Sequence, residues 1–178
     1  MSSEPVRFRD PAALAEWLKV NGIPYESWGV GGSKSFDRLW REISEGETIL
    51  REGPPRRWTE VVSVSIRVGG RQLIEARQRM ANGTVRERNL PPSEKMLPRE
   101  APVCAAYRCL MEELGVERSA VMSMVESEPE SVEEGESPSY PGLTTSYRVH
   151  NFTAEVDGLK RENFTTKEGL LTHYWEWR

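Results

Sequence analysis

The sequence is poor in the residues that build disulfide frameworks and histidine metal sites. Its 178 residues include two cysteines and two histidines. Cys104 and Cys109 lie in a predicted helix, where a spacing of five turns their side chains roughly 140° from each other and disfavours a disulfide. We therefore predict two reduced thiols in a reducing, intracellular compartment, the cytoplasm or an organelle interior. His150 and His173 are too few for a histidine-built site and are interpreted as strand residues.

Long apolar runs and basic tracts are also lacking. No run approaches the roughly 18 apolar residues of a membrane-spanning helix, and the N-terminal residues have no apolar segment of the kind that directs secretion. Charged residues make up 29% of the chain, and the net charge is −4. We therefore expect a soluble protein with no membrane span and without a nucleic-acid backbone as its main partner.

Two amphipathic helices are predicted in the N-terminal third of the chain. Asp10 is the expected N-cap of the first helix, and the helical spacing of apolar residues from Phe36 to Ile43 predicts the second. The glycine-rich segment WGVGGSK, residues 28–34, lies between them. Its spacing differs from that of a phosphate-binding loop, and we interpret it as a turn.

From Thr59 onward the apolar residues alternate with polar ones, which is typical of strands. Turns at Gly69-Gly70 and Asn82-Gly83 separate three predicted strands, at 59–68, 71–80 and 84–91. Further along we predict a proline-rich loop, a helix at 102–114, a mobile acidic loop at 126–142, a strand at 144–156, a turn or short helix at 164–171, and a closing strand at 172–178. This succession predicts an α+β fold.

The helix predicted at 102–114 carries the residues with the most chemistry. Its larger apolar residues are spaced four, three and four apart, and we expect this stripe to pack on the sheet (Val103, Tyr107, Leu110 and Leu114). Arg108, Cys109, Glu112 and Glu113 lie off the stripe, and the two carboxylates are expected on the side that faces away from the core. Two adjacent carboxylates on a helix can share a divalent cation. The alternative is a solvated face on which Glu112 pairs with Arg108.

The spacing around this helix resembles the Nudix box, G-x5-E-x7-R-E-U-x-E-E-x-G-U, where U is a bulky aliphatic residue. This chain has Glu100, seven residues, and then RCLMEELGV from Arg108 to Val116. The motif agrees at every specified position except the first, which is Glu94, and the one occupied by Cys109. A preceding meander and a terminal aromatic strand are also similar to the family, over residues 59–178.

The resemblance implies a fold and a division of the chain. The expected fold is an α+β, Nudix-like mixed β-sheet sandwiched by helices, with an N-terminal helical extension at 1–58 packed on the core. Residues 59–178 would form the Nudix-like domain. The motif's opening glycine is Glu94 here, and the usual Gly-Gly is Pro91-Pro92. Cys109 stands where the family has a metal-binding carboxylate, and a thiol is a poor ligand for magnesium.

The resemblance also implies a reaction, since Nudix hydrolases use Mg²⁺ or Mn²⁺ to cleave a nucleoside diphosphate from another moiety. It assigns the metal to Glu112 and Glu113, a structural salt bridge to Glu100 and Arg108, and a further catalytic role to Glu100. A glutamate of the acidic loop is an alternative ligand or base (Glu126, Glu128 or Glu130). With Cys109 in the metal site, we expect at most a weak Mg²⁺-dependent hydrolase of nucleoside diphosphate-linked compounds.

Two other interpretations remain open at this stage. A catalytically inactive Nudix domain could bind nucleotide or act as a structural subunit in an assembly with a protein partner. Cys109, Glu94 and the tryptophan-rich N-terminal region favour it, although those aromatics could equally be ordinary core (Trp17, Trp28, Trp40 and Trp58). The third interpretation is an α+β domain outside the family, in which the match to the box is fortuitous.

Overall fold

A computed structural model describes residues 4–178, without the side chains of residues 128–130. Within that range the fold is α+β, as the sequence predicts, with three α-helices and ten strands. The helices are α1 (Pro11–Val20), α2 (Phe36–Ser44) and α3 (Pro102–Leu114). The strands are β1 (Pro5–Val6), β2 (Ile49–Arg51), β3 (Arg56–Val68), β4 (Arg71–Arg79), β5 (Val85–Leu90), β6 (Ser93–Lys95), β7 (Val121–Glu136), β8 (Thr144–Val156), β9 (Phe164–Glu168) and β10 (Leu171–Trp177).

The chain forms two compact units. The first comprises the residues up to Glu60 together with Val132–Arg148, and the second comprises Val61–Ser131 together with Val149–Arg178. The segment 1–58, predicted as an N-terminal extension, therefore shares its unit with a distant part of the chain. Among residues 4–178, no helix is both long enough and apolar enough to cross a bilayer.

The first unit is built around α1 and α2. The Asp10 side chain accepts a hydrogen bond from the Ala13 amide at 2.8 Å and so caps α1, while Ser35 caps α2. Both helices turn apolar residues into one core (Leu14, Leu18, Ile23, Trp28, Leu39, Leu50, Tyr140 and Leu143). Residues 28–34 form a turn, and Lys34 donates to the buried carboxylate of Glu42 at 2.8 Å.

The second unit contains the predicted β-meander. Strands β3 and β4 are joined at Gly69-Gly70, where both residues have positive φ, a conformation that glycine adopts at little cost. Strand β4 also pairs antiparallel with β5 and β10, β10 with β9, and β6 with β3. Each of these ladders is antiparallel, where a mixed sheet was expected. In the pairs β3–β4, β4–β5 and β9–β10, a short turn between successive strands reverses the chain direction.

Two predicted irregular segments are strands, so those predictions were wrong. Strand β7 covers most of the acidic segment predicted as a mobile loop at 126–142, and it pairs with β8. The hydrogen bonds of a neighbouring strand can hold a polar segment extended although its composition disfavours a sheet. Residues 164–171, predicted as a turn or short helix, contain β9 and the two-residue turn that leads into β10.

Helix α3 has the predicted bounds, but it is rotated relative to the predicted stripe. Its buried residues are Ala105, Ala106, Cys109, Leu110 and Glu113, which pack among valines and tryptophans of the second unit's core. The stripe was chosen by side-chain size, whereas small alanines permit the closest approach of a helix to its neighbours. Consequently Val103 is 43% exposed, Cys109 lies in the core, and the prediction that Glu113 faces away from the core was wrong.

Candidate functional site

The ion pair between Glu100 and Arg108 joins the loop after β6 to helix α3. Arg108 donates from Nε to Oε1 of Glu100 and from Nη2 to Oε2, both at 2.9 Å. Its Nη2 also donates to the Lys95 carbonyl at 2.6 Å, and Glu100 accepts from the Leu97 amide at 2.9 Å. Hydrogen bonding to Arg108 lowers the pKa of Glu100, despite partial burial. Both oxygens of Glu100 are therefore occupied, which suits a bracing role better than that of a base.

The helix also holds a buried thiol and a buried carboxylate. Cys109 has no exposed surface and Glu113 has 3%. Burial, followed by the nearby charge of Glu113, raises the pKa of the Cys109 thiol well above its usual value, so the side chain is a neutral core residue at pH 7. Burial, followed by the charges of Glu75 and Glu94, raises the pKa of Glu113 well above its usual value. The Oε2 atom of Glu113 has no hydrogen-bond partner among the described residues.

Three carboxylates from three different elements meet beside α3. They are Glu94 of β6, Glu112 of α3 and Glu168 of β9, and one oxygen of each lies within 4.8 Å of the other two. Glu94 accepts from the Lys95 amide at 2.7 Å, and Glu112 accepts from Nη1 of Arg108 at 3.0 Å. Burial raises the pKa of Glu94. Of the two predicted metal ligands, Glu112 thus belongs to this group, while Glu113 lies in the core.

A buried pair, Glu75 of β4 and His173 of β10, lies in the same unit. Nδ1 of His173 is 2.6 Å from Oε1 of Glu75, and both side chains are 1% exposed. Nε2 of His173 lies 3.5 Å from Glu168, and Arg88 binds the other oxygen of Glu75 at 3.1 Å. Although burial favours neutral imidazole, the neighbouring carboxylates of Glu168 and Glu75 outweigh it and raise the pKa of His173 to about 9. The histidine is thus a strand residue, as predicted, with a charged role that the sequence did not indicate.

The glutamates proposed as alternative ligands are placed differently. Glu126 of β7 lies 3.6 Å from Nδ1 of His150 and is not part of the group formed by Glu94, Glu112 and Glu168. Glu128 and Glu130 lie outside the described side chains. The sequence thus predicted a metal-binding role for Glu112 of this group, and for neither Glu94 nor Glu168.

Each missed residue had a weak signal in the sequence. Glu94 stands where the Nudix motif has its opening glycine. The sequence around it was predicted as a proline-rich loop, whereas Ser93–Lys95 form strand β6. Glu168 precedes Gly169-Leu170, and two residues of the type Gly-X between β-prone runs are a hairpin signal. A hairpin turn at Gly169-Leu170 predicts a strand on each side of it, and the strand on the N-terminal side is β9.

We compared the chain with known protein families and with curated proteins. No protein-family model matches the chain, and no curated protein matches it either. The resemblance to Nudix proteins therefore rests on the motif residues alone.

Proposed function

We propose that this chain is a Nudix-type domain that is at most a weak Mg²⁺-dependent hydrolase of nucleoside diphosphate-linked compounds. The observation that carries the proposal is the bidentate pair between Glu100 and Arg108, eight residues apart, with Glu112 bound to the same guanidinium. The spacing of the Nudix box anticipates this arrangement. If the match to the Nudix box were fortuitous, nothing would require Glu100 of the loop to pair with Arg108 of the helix.

The residues around Glu112 suit a hard divalent cation. Glu112 is partly exposed and offers a carboxylate oxygen, the type of ligand that Mg²⁺ prefers. When bound, the cation would neutralise pyrophosphate oxygens and lower the pKa of the attacking water. Arg108 orients Glu112 through its Nη1 atom, and Glu100 holds the guanidinium and the preceding loop in place.

Weak activity is proposed because the helix supplies fewer anionic ligands than the family motif. Cys109 is neutral and buried, and Glu113 is almost wholly buried with its charge disfavoured. The same burial favours the second candidate function, a catalytically inactive domain that binds a nucleotide. The first candidate predicts slow turnover, and the second predicts binding without turnover.

The test is an assay of the purified chain with Mg²⁺ or Mn²⁺ against ADP-ribose, NADH, dinucleoside polyphosphates and oxidised nucleotides. Slow hydrolysis that falls at least about tenfold in Glu112→Gln, but not in Glu162→Gln, would support the proposal. Glu162 is a suitable control because it is an exposed carboxylate of the same unit. Brisk turnover that Glu112→Gln abolishes would contradict the weak site proposed here. Nucleotide binding without hydrolysis would favour the inactive domain.

A further inference from the structure

We propose that one sheet face of the second unit binds a single-stranded nucleic acid. Strands β9, β10, β4 and β5 lie side by side in that order. One side of this sheet packs in the core with α3, and we call the opposite side the outer face. The proposal does not depend on the proposed function, because the residues of the outer face are not those around Glu112.

Strand alternation and register define the outer face. Every second residue of β10 is buried, and the two tryptophans among them pack in the core with α3 (His173, Trp175 and Trp177). Thr172 and Tyr174 therefore point to the opposite side of the sheet. Residues directly opposite on paired strands point to the same side. The register thus places two rows across the outer face, which are Thr165–Tyr174–Arg77–Glu87 and Lys167–Thr172–Arg79–Val85.

Three cations stand on the outer face, namely Arg77, Arg79 and Lys167, and all three residues are exposed. Neighbouring strands lie about 4.8 Å apart and alternate residues of a strand about 6.8 Å apart, so the backbones of the three lie within roughly 12 Å of one another. Within residues 4–178, leaving aside the side chains of 128–130, none of the three forms an ion pair. The Arg77 guanidinium instead lies over the ring of Tyr174, 4.7 Å from its centre.

Carboxylates offset little of this positive charge. Glu87 is the one acidic residue in the two rows, and Glu176, further along β10, is bound by Nη2 of Arg178 at 2.9 Å. The outer face therefore carries an excess of positive charge, although the net charge of the whole chain is −4. An anionic partner complements such a face. No basic tract marks it in the sequence, because its cations come from two strands that meet only in the folded chain.

The other side chains of the outer face indicate which anionic partner fits. Arg and Lys neutralise phosphates, and the hydroxyls of Thr165 and Thr172 can donate to phosphate oxygens. The Tyr174 ring and the Arg77 guanidinium are flat groups of the kind on which unpaired bases stack. A duplex keeps its bases stacked inside, and an acidic peptide has no bases, so neither would use these flat groups. A single strand uses the charges, the hydroxyls and the flat groups together.

The experiment measures the fluorescence anisotropy of a labelled uridine RNA of about 12 nucleotides, titrated with the full chain at several salt concentrations. Three phosphate contacts predict that affinity falls about 20-fold between about 50 and 200 mM salt. We expect the double variant Arg79→Gln with Lys167→Gln to weaken binding at least about tenfold and to reduce the salt dependence. Tyr174→Leu should weaken binding at least about fivefold through lost stacking, with the salt dependence unchanged.

The matched control is the double variant Lys160→Gln with Arg161→Gln. It removes the same charge from two exposed residues of the same unit, which precede β9 and lie outside the two rows, and it should leave binding unchanged. Thermal unfolding establishes that each variant is folded. Because the substituted cations are exposed, we expect a change in Tm of less than about 2 °C.

Several results would overturn the proposal. These are a Kd weaker than about 100 µM at about 50 mM salt, an equal loss of binding in the control, and binding that is unaffected in folded Tyr174→Leu. Tighter binding to a duplex, to a polyglutamate peptide or to phosphatidylserine vesicles than to the RNA would also overturn it, and would assign the outer face to that partner. Binding lost in the Arg79 and Lys167 variant and in Tyr174→Leu, but not in the control, would support it.

Discussion

Replacing Cys109 with glutamate restores the residue of the Nudix motif, yet we expect it to destabilise this protein. The Cys109 side chain has no exposed surface and packs in the second unit's core. A carboxylate there must either lose its hydration or stay protonated, and it would lie close to the charges of Glu113 and Glu94. Glutamate is also larger than cysteine, so the substitution overpacks a filled site.

The magnitude follows from these two effects. Desolvation of a buried carboxylate costs several kcal/mol, and overpacking adds about 1–3 kcal/mol. We take about 4 kcal/mol as the expected loss, which for a chain of this length lowers Tm by roughly 8–16 °C. Cys109→Ala is the matched control, since it removes one sulfur atom without adding charge and should cost about 1 kcal/mol.

The assay is thermal unfolding at pH 7 followed by circular dichroism, with and without millimolar Mg²⁺. If a cation binds near Glu112, as the proposed function requires, it would lie near the new carboxylate, so Mg²⁺ should raise the Tm of Cys109→Glu more than that of the wild type. If Cys109→Glu unfolds at the wild-type temperature without metal, the buried placement of Cys109 and the argument built on it are wrong.

Two further predictions concern the ion pairs of the second unit. Arg108→Met should lower the free energy of unfolding by about 2–3 kcal/mol, because Glu100 keeps a mostly buried charge without its partner; exposed Arg161→Met should change it by less than about 0.5 kcal/mol, and equal effects would contradict the bracing role. The folded-state pKa of His173 is about 9, above its ordinary 6.5, so its interactions with Glu168 and Glu75 should stabilise the fold fully below about pH 6.5 and lose that contribution, about 3 kcal/mol, as pH rises through 9. Chemical unfolding from pH 6 to 10, with His173→Gln as reference, measures this, and parallel profiles would refute it.

Features set by neighbouring residues could be predicted from the sequence. Asp10 and Ser35 cap their helices through hydrogen bonds that span three residues. Gly69-Gly70 turns the chain because glycine tolerates positive φ, which needs no distant partner. The pair between Glu100 and Arg108 was predicted through the resemblance to the Nudix box, and it lies within one loop and the first turns of the following helix. Residues this close in the sequence can adopt few other arrangements, so such caps and turns follow from the local sequence.

Other features depended on strands that meet only in the folded chain. Glu94 and Glu168 are 74 positions apart in the numbering (168 − 94), and they come together because β6 pairs with β3 while β9 is tied to the end of α3. The polar segment of β7 is extended because β8 pairs with it. Composition cannot predict either result, since the stabilising hydrogen bonds come from residues far away in the sequence.

The bounds of α3 could be predicted from the sequence, whereas its buried face depended on the tertiary structure. From the sequence, the helix itself follows from Pro102 at its start and Gly115 at its end. Its buried face could not be read from side-chain size, because the alanines at 105 and 106 allow close packing and turn Cys109 and Glu113 inward. The sequence thus determined the helix and its charged residues, whereas only packing decided which carboxylates stay in contact with water, since burial depends on what lies across the interface.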